Sequence, residues 1–194
     1  MTRGAKRLLI IGGVFLAYDY LNRSPLDGLS QGLFTNIYSS IGGLGMQLSA
    51  AGAAAIKSRE AYKNIVYQDD AQARNLTAGI GHLLTPLEKI LYSLGDTVPD
   101  AIIQGWFAAD SAHAAALVNR YVTSPLNQNQ FDALTSMAFN LGGQLFRNSD
   151  GSTTMILAAL NSGDYAGASQ HIMDWVIPAS ITARRQAEQD QFNS

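Results

Sequence analysis

The succession of helix boundaries after residue 84 most constrains how this chain can fold. Thr85, Pro86 and Glu88 stand in the order of a helix N-cap, a first helical residue and a third helical residue. Asn127 and Asp164 suit the N-caps of two later helices, and the glycine of NSGD ends the helix before Asp164. The pattern predicts helices at 85–94, 99–109, 110–123, 127–141, 152–161, 164–176 and 180–192.

A hairpin is predicted ahead of these helices. The stretch AAAIKSREAYKN (53–64) favours one more helix, and VYQDDAQARNLTAGIGH (66–82) alternates and then breaks at glycines, as a twisted hairpin does. Gly79 and Gly81 supply backbone freedom where the chain turns closely. Many helices around one short hairpin predict a mainly helical α+β domain over residues 54–194.

The first 53 residues differ in character from the rest of the chain. Basic residues (Arg3, Lys6 and Arg7) precede the apolar run LLIIGGVFLAYDYL (8–21), which is the order of a signal or anchor segment. The run is about 14 residues long and contains Asp19, whereas a helix needs about 20 residues to span a bilayer. An apolar helical anchor, a buried helix of the domain and a cleaved signal all stay open. A tether rich in Gly, Ser and Ala follows.

Composition excludes several functional classes. The net charge is −2 and the pI is near 5.8, without the basic excess of a nucleic-acid-binding protein. No cysteine is present, which excludes disulfides, thiol catalysis and cysteine-zinc sites. Hydrophobic residues make up 47% of the chain, so a proper core can form.

Charged residues are only 14% of the chain, which draws attention to the carboxylates around the hairpin. Glu60 at a helix end and Asp69 in the hairpin would face one another across a cleft, as glycoside hydrolysis requires. Apolar neighbours (Ile56, Ala61, Tyr62 and Ile65) would keep Glu60 protonated as the acid, while the polar hairpin would keep Asp69 ionised. Thr77 supplies a hydroxyl that could orient the attacking water. The alternative is a solvated helix face with an acidic turn.

A family resemblance supports the catalytic interpretation. Glu60, the segment VYQD that ends at Asp69, and TAGIGHLLT (77–85) resemble the active-site signature of the T4-type phage lysozymes, glycoside hydrolase family 24. Three further segments resemble that family's helices in the same order, so that the similarity covers about residues 54–194. They are NQNQFDALTSMAFNLGG (127–143), STTMILAALNSGDYAGASQHIMDW (152–175) and ITARRQAEQDQF (181–192).

The resemblance implies a muramidase that inverts the anomeric centre, with no metal or organic cofactor. Glu60 is then the general acid, Asp69 the base that positions water, and Thr77 its helper. Inversion requires the two carboxyl groups to lie about 6.5–9.5 Å apart, which leaves room for that water. Three departures matter. Ala61 replaces the family's glycine after the catalytic glutamate, and a longer hairpin makes Asp70 a rival to Asp69. The first 53 residues have no counterpart in the compact members of the family.

Three more residues are candidates for substrate binding: His82, Asn140 and Arg184. His82 could instead be a structural histidine that fixes the end of the hairpin, and Asn140 could be a polar cap of its helix. Arg184 could pair with Glu188 four residues on, although the resemblance implies that an arginine here reaches Glu60 and orders the cleft.

The expected function is hydrolysis of the β-1,4 bond between N-acetylmuramic acid and N-acetylglucosamine in bacterial peptidoglycan, in phage lysis or entry. The expected partner is the peptidoglycan glycan strand, bound by a monomer with no role for nucleic acid. Residues 1–30 would hold the enzyme at the host inner membrane or in the periplasm, or dock it to a virion. The alternative is a non-catalytic wall-binding or structural virion protein that keeps the fold.

Overall fold

The computed structural model describes residues 7–11, 14–18, 45–68 and 75–194. Contacts divide the chain into two units, Met1–Gly43 and Leu44–Ser194. The helix Ala50–Arg59 runs through residues 53 and 54, where the sequence analysis places the domain boundary.

The described part of the first unit is a pair of strands. Strand β1 (Arg7–Ile11) pairs antiparallel with β2 (Val14–Tyr18), in a register that runs from Arg7↔Tyr18 to Ile11↔Val14. The predicted helix over 8–21 is therefore wrong for these residues. Two glycines between runs of apolar residues are a hairpin sequence, which competes with the helix. The other residues of the tether and anchor prediction lie outside the described ranges, and the anchor role stays a prediction.

Helix α1 (Ala50–Arg59) opens the second unit and ends where Glu60 turns extended, at φ −100° and ψ 142°. The predicted helix through residue 64 is wrong in its last part, because the following aromatic and β-branched residues form a strand. Ser49 caps the helix by accepting a hydrogen bond from Gly52 N at 3.0 Å. No helix in the described ranges is long and apolar enough to cross a membrane.

The chain that enters α1 is tied to two later helices. Asn119 accepts from Met46 N at 3.0 Å and donates to Met46 O at 2.9 Å. Asp132 accepts from Ser49 N at 3.0 Å and from the Ser49 hydroxyl. Gln128 also donates to Asp132 Oδ1 at 2.8 Å, so the carboxylate is held by two residues.

One three-stranded antiparallel sheet follows, and it confirms the predicted hairpin. It consists of β3 (Tyr62–Gln68), β4 (Leu76–Ile80) and β5 (His82–Leu83), in that order. Tyr67 pairs with Thr77, and the register shifts between Lys63 and Tyr67. Gly79 and Gly81 have φ values of 68° and 74°, in the left-handed region that glycine adopts readily, so both use the backbone freedom that was predicted for them.

The rest of the second unit is helical, which confirms the α+β class. The predicted caps at Asn127 and Asp164 are both formed. The predicted helix over 85–94 is wrong in its bounds, because the helix spans only Glu88–Leu91, and Thr85 and Glu88 bond reciprocally in the turn before it. The predicted break between 109 and 110 is wrong, because one continuous helix runs through both residues, and the Asp110 side chain bonds to His82. The helices are α2 (Glu88–Leu91), α3 (Asp100–Tyr121), α4 (Gln128–Leu141), α5 (Met155–Asn161), α6 (Tyr165–Ile172) and α7 (Thr182–Phe192).

Helix α3 contributes to both hydrophobic cores of this unit. Its first half packs Ile103, Trp106 and Phe107 against the sheet and α1. Its second half packs Val118 into the larger core, which the later helices form. Phe139 of α4 packs against both cores, so the sheet and the helical bundle are held in one arrangement.

We expect alanine at the two helical glycines Gly52 and Gly105 to have opposite effects on stability. A Cβ atom at Gly52 would lie 2.5 Å from Asp132 Cγ, in a side chain held by two residues, so Gly52→Ala should cost about 2 kcal/mol. A Cβ atom at Gly105 meets nothing within 4 Å, so Gly105→Ala should stabilise the protein by about 0.5–1 kcal/mol. Denaturant unfolding of both variants measures the difference, and equal effects would contradict the close packing at Gly52.

Candidate active site

Glu60 lies at the junction between α1 and the sheet. It is the first residue after the helix, and its side chain is 18% exposed. A Cβ atom placed on Gly81 would lie 3.5 Å from Glu60 Oε2, so one carboxylate oxygen faces the turn between β4 and β5. A side chain at position 81 would narrow the space beside this oxygen.

The other carboxylate oxygen of Glu60 bonds to Arg184. Arg184 Nη1 donates to Glu60 Oε1 at 2.5 Å, which is the contact that the resemblance implies. Arg184 Nε also donates to Glu188 Oε1 at 3.1 Å, so the alternative pairing within the helix is present as well. The role of Arg184 toward substrate stays a prediction.

The apolar surroundings predicted for Glu60 are mostly missing. Tyr62 and Ile65 are 51% and 49% exposed, and the Tyr62 hydroxyl donates to Asp100 at 2.8 Å. Ile56 is fully buried in the smaller core. The strand after Glu60 carries its neighbours outward, so an arginine and not an apolar cover sets the local electrostatics.

A buried polar network lies behind this contact, and the sequence analysis missed most of it. Arg185 and Glu188 are 0% exposed, and Arg185 Nη1 donates to Glu188 Oε2 at 2.5 Å. Ser136 Oγ donates to Glu188 Oε1 at 2.7 Å and accepts from Arg59 Nη1 at 3.0 Å. Burial lowers the pKa of Arg59, and the Arg184 charge adds to this while Glu188 opposes it. The spacing of Arg184, Arg185 and Glu188 on one helix was the sequence signal that could have indicated this network.

Asn140 connects the same network to the end of α4. Its Oδ1 accepts a hydrogen bond from Arg185 Nη2 at 2.5 Å, while the residue itself is exposed. Arg185 Nε donates to the Trp175 carbonyl at 3.0 Å. Asn140 thus has a buried anchor and an exposed position, and its binding of an N-acetyl group stays a prediction.

Thr77 lies in the middle of the sheet. It pairs with Tyr67 on one side and with Leu83 on the other, and it is 5% exposed.

Asp69 and Asp70 lie outside the described residues, so the separation of the Glu60 and Asp69 carboxyl groups stays a prediction. Among the side chains that the structure describes, no group of three or more His, Asp or Glu is placed to hold a metal ion.

His82 is held by two carboxylates and an aromatic ring. Its Nδ1 lies 2.8 Å from Asp110 Oδ2 and its Nε2 lies 3.0 Å from Glu88 Oε2. Its ring stacks on Trp106 with centroids 4.4 Å apart and planes 15° apart. This geometry supports the structural role, which the sequence analysis left open beside substrate binding.

The two carboxylates shift the ionisation of the cluster. Burial acts to lower the pKa of His82, but the hydrogen bonds to Asp110 and Glu88 outweigh it and raise the pKa to about 9. Burial acts to raise the pKa of Glu88, but the bonds from His82 and Thr85 outweigh it and lower the pKa to about 2. Both groups are therefore charged over the range in which the enzyme would work.

We expect the free energy of unfolding to fall as the pH rises from about 6.5 to 9. The contribution of His82 is fully present below its unfolded pKa of 6.5 and is lost as the pH passes through about 9. The matching contribution of Glu88 is present above pH 4.5 and is lost as the pH falls through about 2. Because the Asp110 side chain is 35% exposed, we expect a loss of about 2 kcal/mol on the alkaline side.

Unfolding at pH 6 and pH 9 measures this loss. His82→Phe keeps an aromatic ring against Trp106 and should abolish the pH dependence, whereas His113→Gln on the exposed side of α3 should keep it. A wild-type stability that does not change between these pH values would contradict the ion pairs of His82.

Comparisons with known proteins identify the family of the chain. The model of the phage lysozyme family matches residues 57–188 of this chain. An endolysin of Acyrthosiphon pisum secondary endosymbiont phage 1 is 33% identical over 159 residues, which cover 77% of this chain and 99% of that protein. A SAR-endolysin of Escherichia phage Mu is 31% identical over 123 residues, which cover 61% of this chain and 66% of that protein.

A solved structure shares the fold. The muramidase domain of SpmX from Asticaccaulis excentricus superposes with a TM-score of 0.64 at 28% identity, over 76% of this chain and 98% of that one. The mainly helical architecture with one small sheet is therefore lysozyme-like, as predicted. With a family match over most of its second unit and a relative matched over nearly its full length, the chain belongs to the phage lysozyme family.

Proposed function

We propose that this protein hydrolyses the β-1,4 bond between N-acetylmuramic acid and N-acetylglucosamine in peptidoglycan, with inversion at the anomeric carbon. The protein is a peptidoglycan hydrolase of phage lysis by family. The observation that carries the residue assignment is the placement of Glu60, which is held by Arg184 on one side and faces the open Gly81 turn on the other.

Glu60 is the general acid in this proposal. It gives its proton to the glycosidic oxygen as the bond to the anomeric carbon breaks. Asp69 takes a proton from a water that attacks the same carbon from the opposite face, and Thr77 orients that water. The products are two shorter glycan chains, one of which carries a new reducing end, and both carboxyl groups return to their starting states by exchange with solvent.

Product analysis tests the reaction. Digestion of purified peptidoglycan, followed by borohydride reduction and mass spectrometry, should give reduced N-acetylmuramic acid at the new ends. Proton NMR of the first products should give the α anomer, as inversion at a β bond requires. Reduced N-acetylglucosamine would exclude a muramidase, and a first β anomer would exclude inversion. The non-catalytic alternative predicts no new reducing ends.

We also propose that residues 1–30 hold the enzyme at the host inner membrane before lysis. The basic start and the apolar run support this proposal. The likeness to a SAR-endolysin supports a place in host lysis.

Fractionation of host cells that express the full chain or a chain without residues 1–30 tests the location. We expect the full chain with the membranes and the shortened chain in the soluble fraction. Two soluble proteins would contradict the anchor and direct the search to purified virions.

A further inference from the structure

Four buried or half-buried charged side chains lie around Glu60, and the reaction above uses none of them directly. Glu188 and Arg185 are 0% exposed, while Arg184 is 11% exposed in its side chain and Arg59 is partly buried. Apolar side chains of similar size would stabilise the fold at least as well as a buried ion pair. Stability alone therefore does not account for the cluster.

Glu188 lies at the centre of this cluster of charged side chains. Oε1 accepts from Arg184 Nε at 3.1 Å and from Ser136 Oγ at 2.7 Å, and Oε2 accepts from Arg185 Nη1 at 2.5 Å. Both oxygens are thus bonded, and the carboxylate has a single orientation.

That orientation fixes Arg184. Its Nε is bonded to Glu188, its Nη2 donates to the Ser136 carbonyl at 3.3 Å, and its Nη1 donates to Glu60 at 2.5 Å. Because a guanidinium group is planar, the first two bonds set the direction of the third. Glu188 therefore acts on Glu60 through Arg184.

Glu188 also balances charge around Glu60. The cluster holds three guanidinium groups (Arg59, Arg184 and Arg185) against the carboxylates of Glu60 and Glu188. An excess of positive charge favours an ionised carboxylate, whereas a general acid has to keep its proton. The charge that acts on Glu60 is therefore three positive groups against the one negative group of Glu188, and loss of the Glu188 charge would leave the three positive groups unopposed.

The other elements near Glu60 add little charge to this balance. Helix α4 contributes the neutral Ser136, and the turn between β4 and β5 contributes Gly81. Beyond Gly81, the His82 cation is bonded to two carboxylates of its own. Asp69 and Asp70 lie outside the described residues and are unchanged in every variant below.

We propose that Glu188 is a positioning residue of the reaction, which directs the Arg184 guanidinium at Glu60 and offsets its charge so that Glu60 keeps its proton for the glycosidic oxygen. The inference rests on the proposed role of Glu60 as the acid.

The pH profile of kcat/KM on soluble peptidoglycan fragments tests the proposed role of Glu188. In Glu188→Gln we expect the alkaline limb, where the acid loses its proton, to move down by about one pH unit. The matched control is Asp190→Asn, which removes a negative charge from an exposed position of the same helix and should leave the limb in place. A merely structural role would lower the melting temperature and leave the limb unmoved.

Arg185→Gln should shift the alkaline limb of the pH profile in the opposite direction, and it tests the proposal if Glu188→Gln does not fold. It removes a positive charge behind Glu188, so the alkaline limb should move up. A limb at the wild-type pH in the folded variants, or a shift in the same direction in both, overturns the proposal. Failure of the proposed function is distinguishable, because the wild-type protein would then release no reducing ends at any pH.

Discussion

Glu60→Gln should lower the rate of peptidoglycan hydrolysis about a thousandfold, which is within the range for loss of a general acid. The amide has no proton that it can give to the glycosidic oxygen. The fold should persist, because the amide oxygen can still accept from Arg184, and Arg184 keeps its bonds to Glu188 and Ser136. Release of reducing ends measures the rate, and thermal unfolding checks the fold.

The control for Glu60→Gln is another carboxylate-to-amide change of the same charge. Asp190→Asn lies on the exposed face of α7, where Asp190 accepts from Gln186 at 2.9 Å. We expect wild-type activity from this variant. Activity in Glu60→Gln within a few-fold of the wild type would remove Glu60 from the mechanism, whatever the fold.

Asp69→Asn should lower the same rate about a hundredfold to a thousandfold, since the attacking water would lose its base. Asp70→Asn should change it by a few-fold at most. The two residues follow directly after β3 and differ by one position, so each variant is the matched control of the other. Both remove one negative charge from the same hairpin.

The outcome assigns the base. A large loss in Asp70→Asn alone would transfer the role to Asp70, and the hairpin would then present a different residue to the cleft. A small loss in both variants would refute a carboxylate base in this hairpin and, with it, the inverting mechanism as proposed.

Local signals in the sequence predicted much of the fold. Caps at Asn127 and Asp164 are formed within a few residues of chain, so their residue types were sufficient to place them. The single helix α3 was not predicted, because the sequence analysis placed a break between residues 109 and 110 where the chain continues as one helix. Asp110 instead bonds to His82, 28 residues earlier, and sequence spacing does not reveal such a tertiary contact.

The contact between Glu60 and Arg184 was predictable, but the environment of Glu60 was not. Glu60 and Arg184 are 124 positions apart, and only the family resemblance indicated their contact. Helix α7 is rich in polar side chains, which is typical of a solvated face, yet Arg185 and Glu188 are fully buried. Burial of a charged group depends on partners from distant helices, and sequence spacing does not reveal these.

The ties of Met46 and Ser49 to Asn119 and Asp132 set a limit for truncation from the amino terminus. A polypeptide that starts at residue 45 retains all of them, whereas one that starts at residue 54 has lost the first turn of α1 and leaves the Asp132 carboxylate without Ser49. We therefore expect a stable fragment to begin some fifteen residues before Glu60. Proteolysis upstream of this point should leave the fold of the second unit intact, whereas proteolysis within α1 should destabilise it.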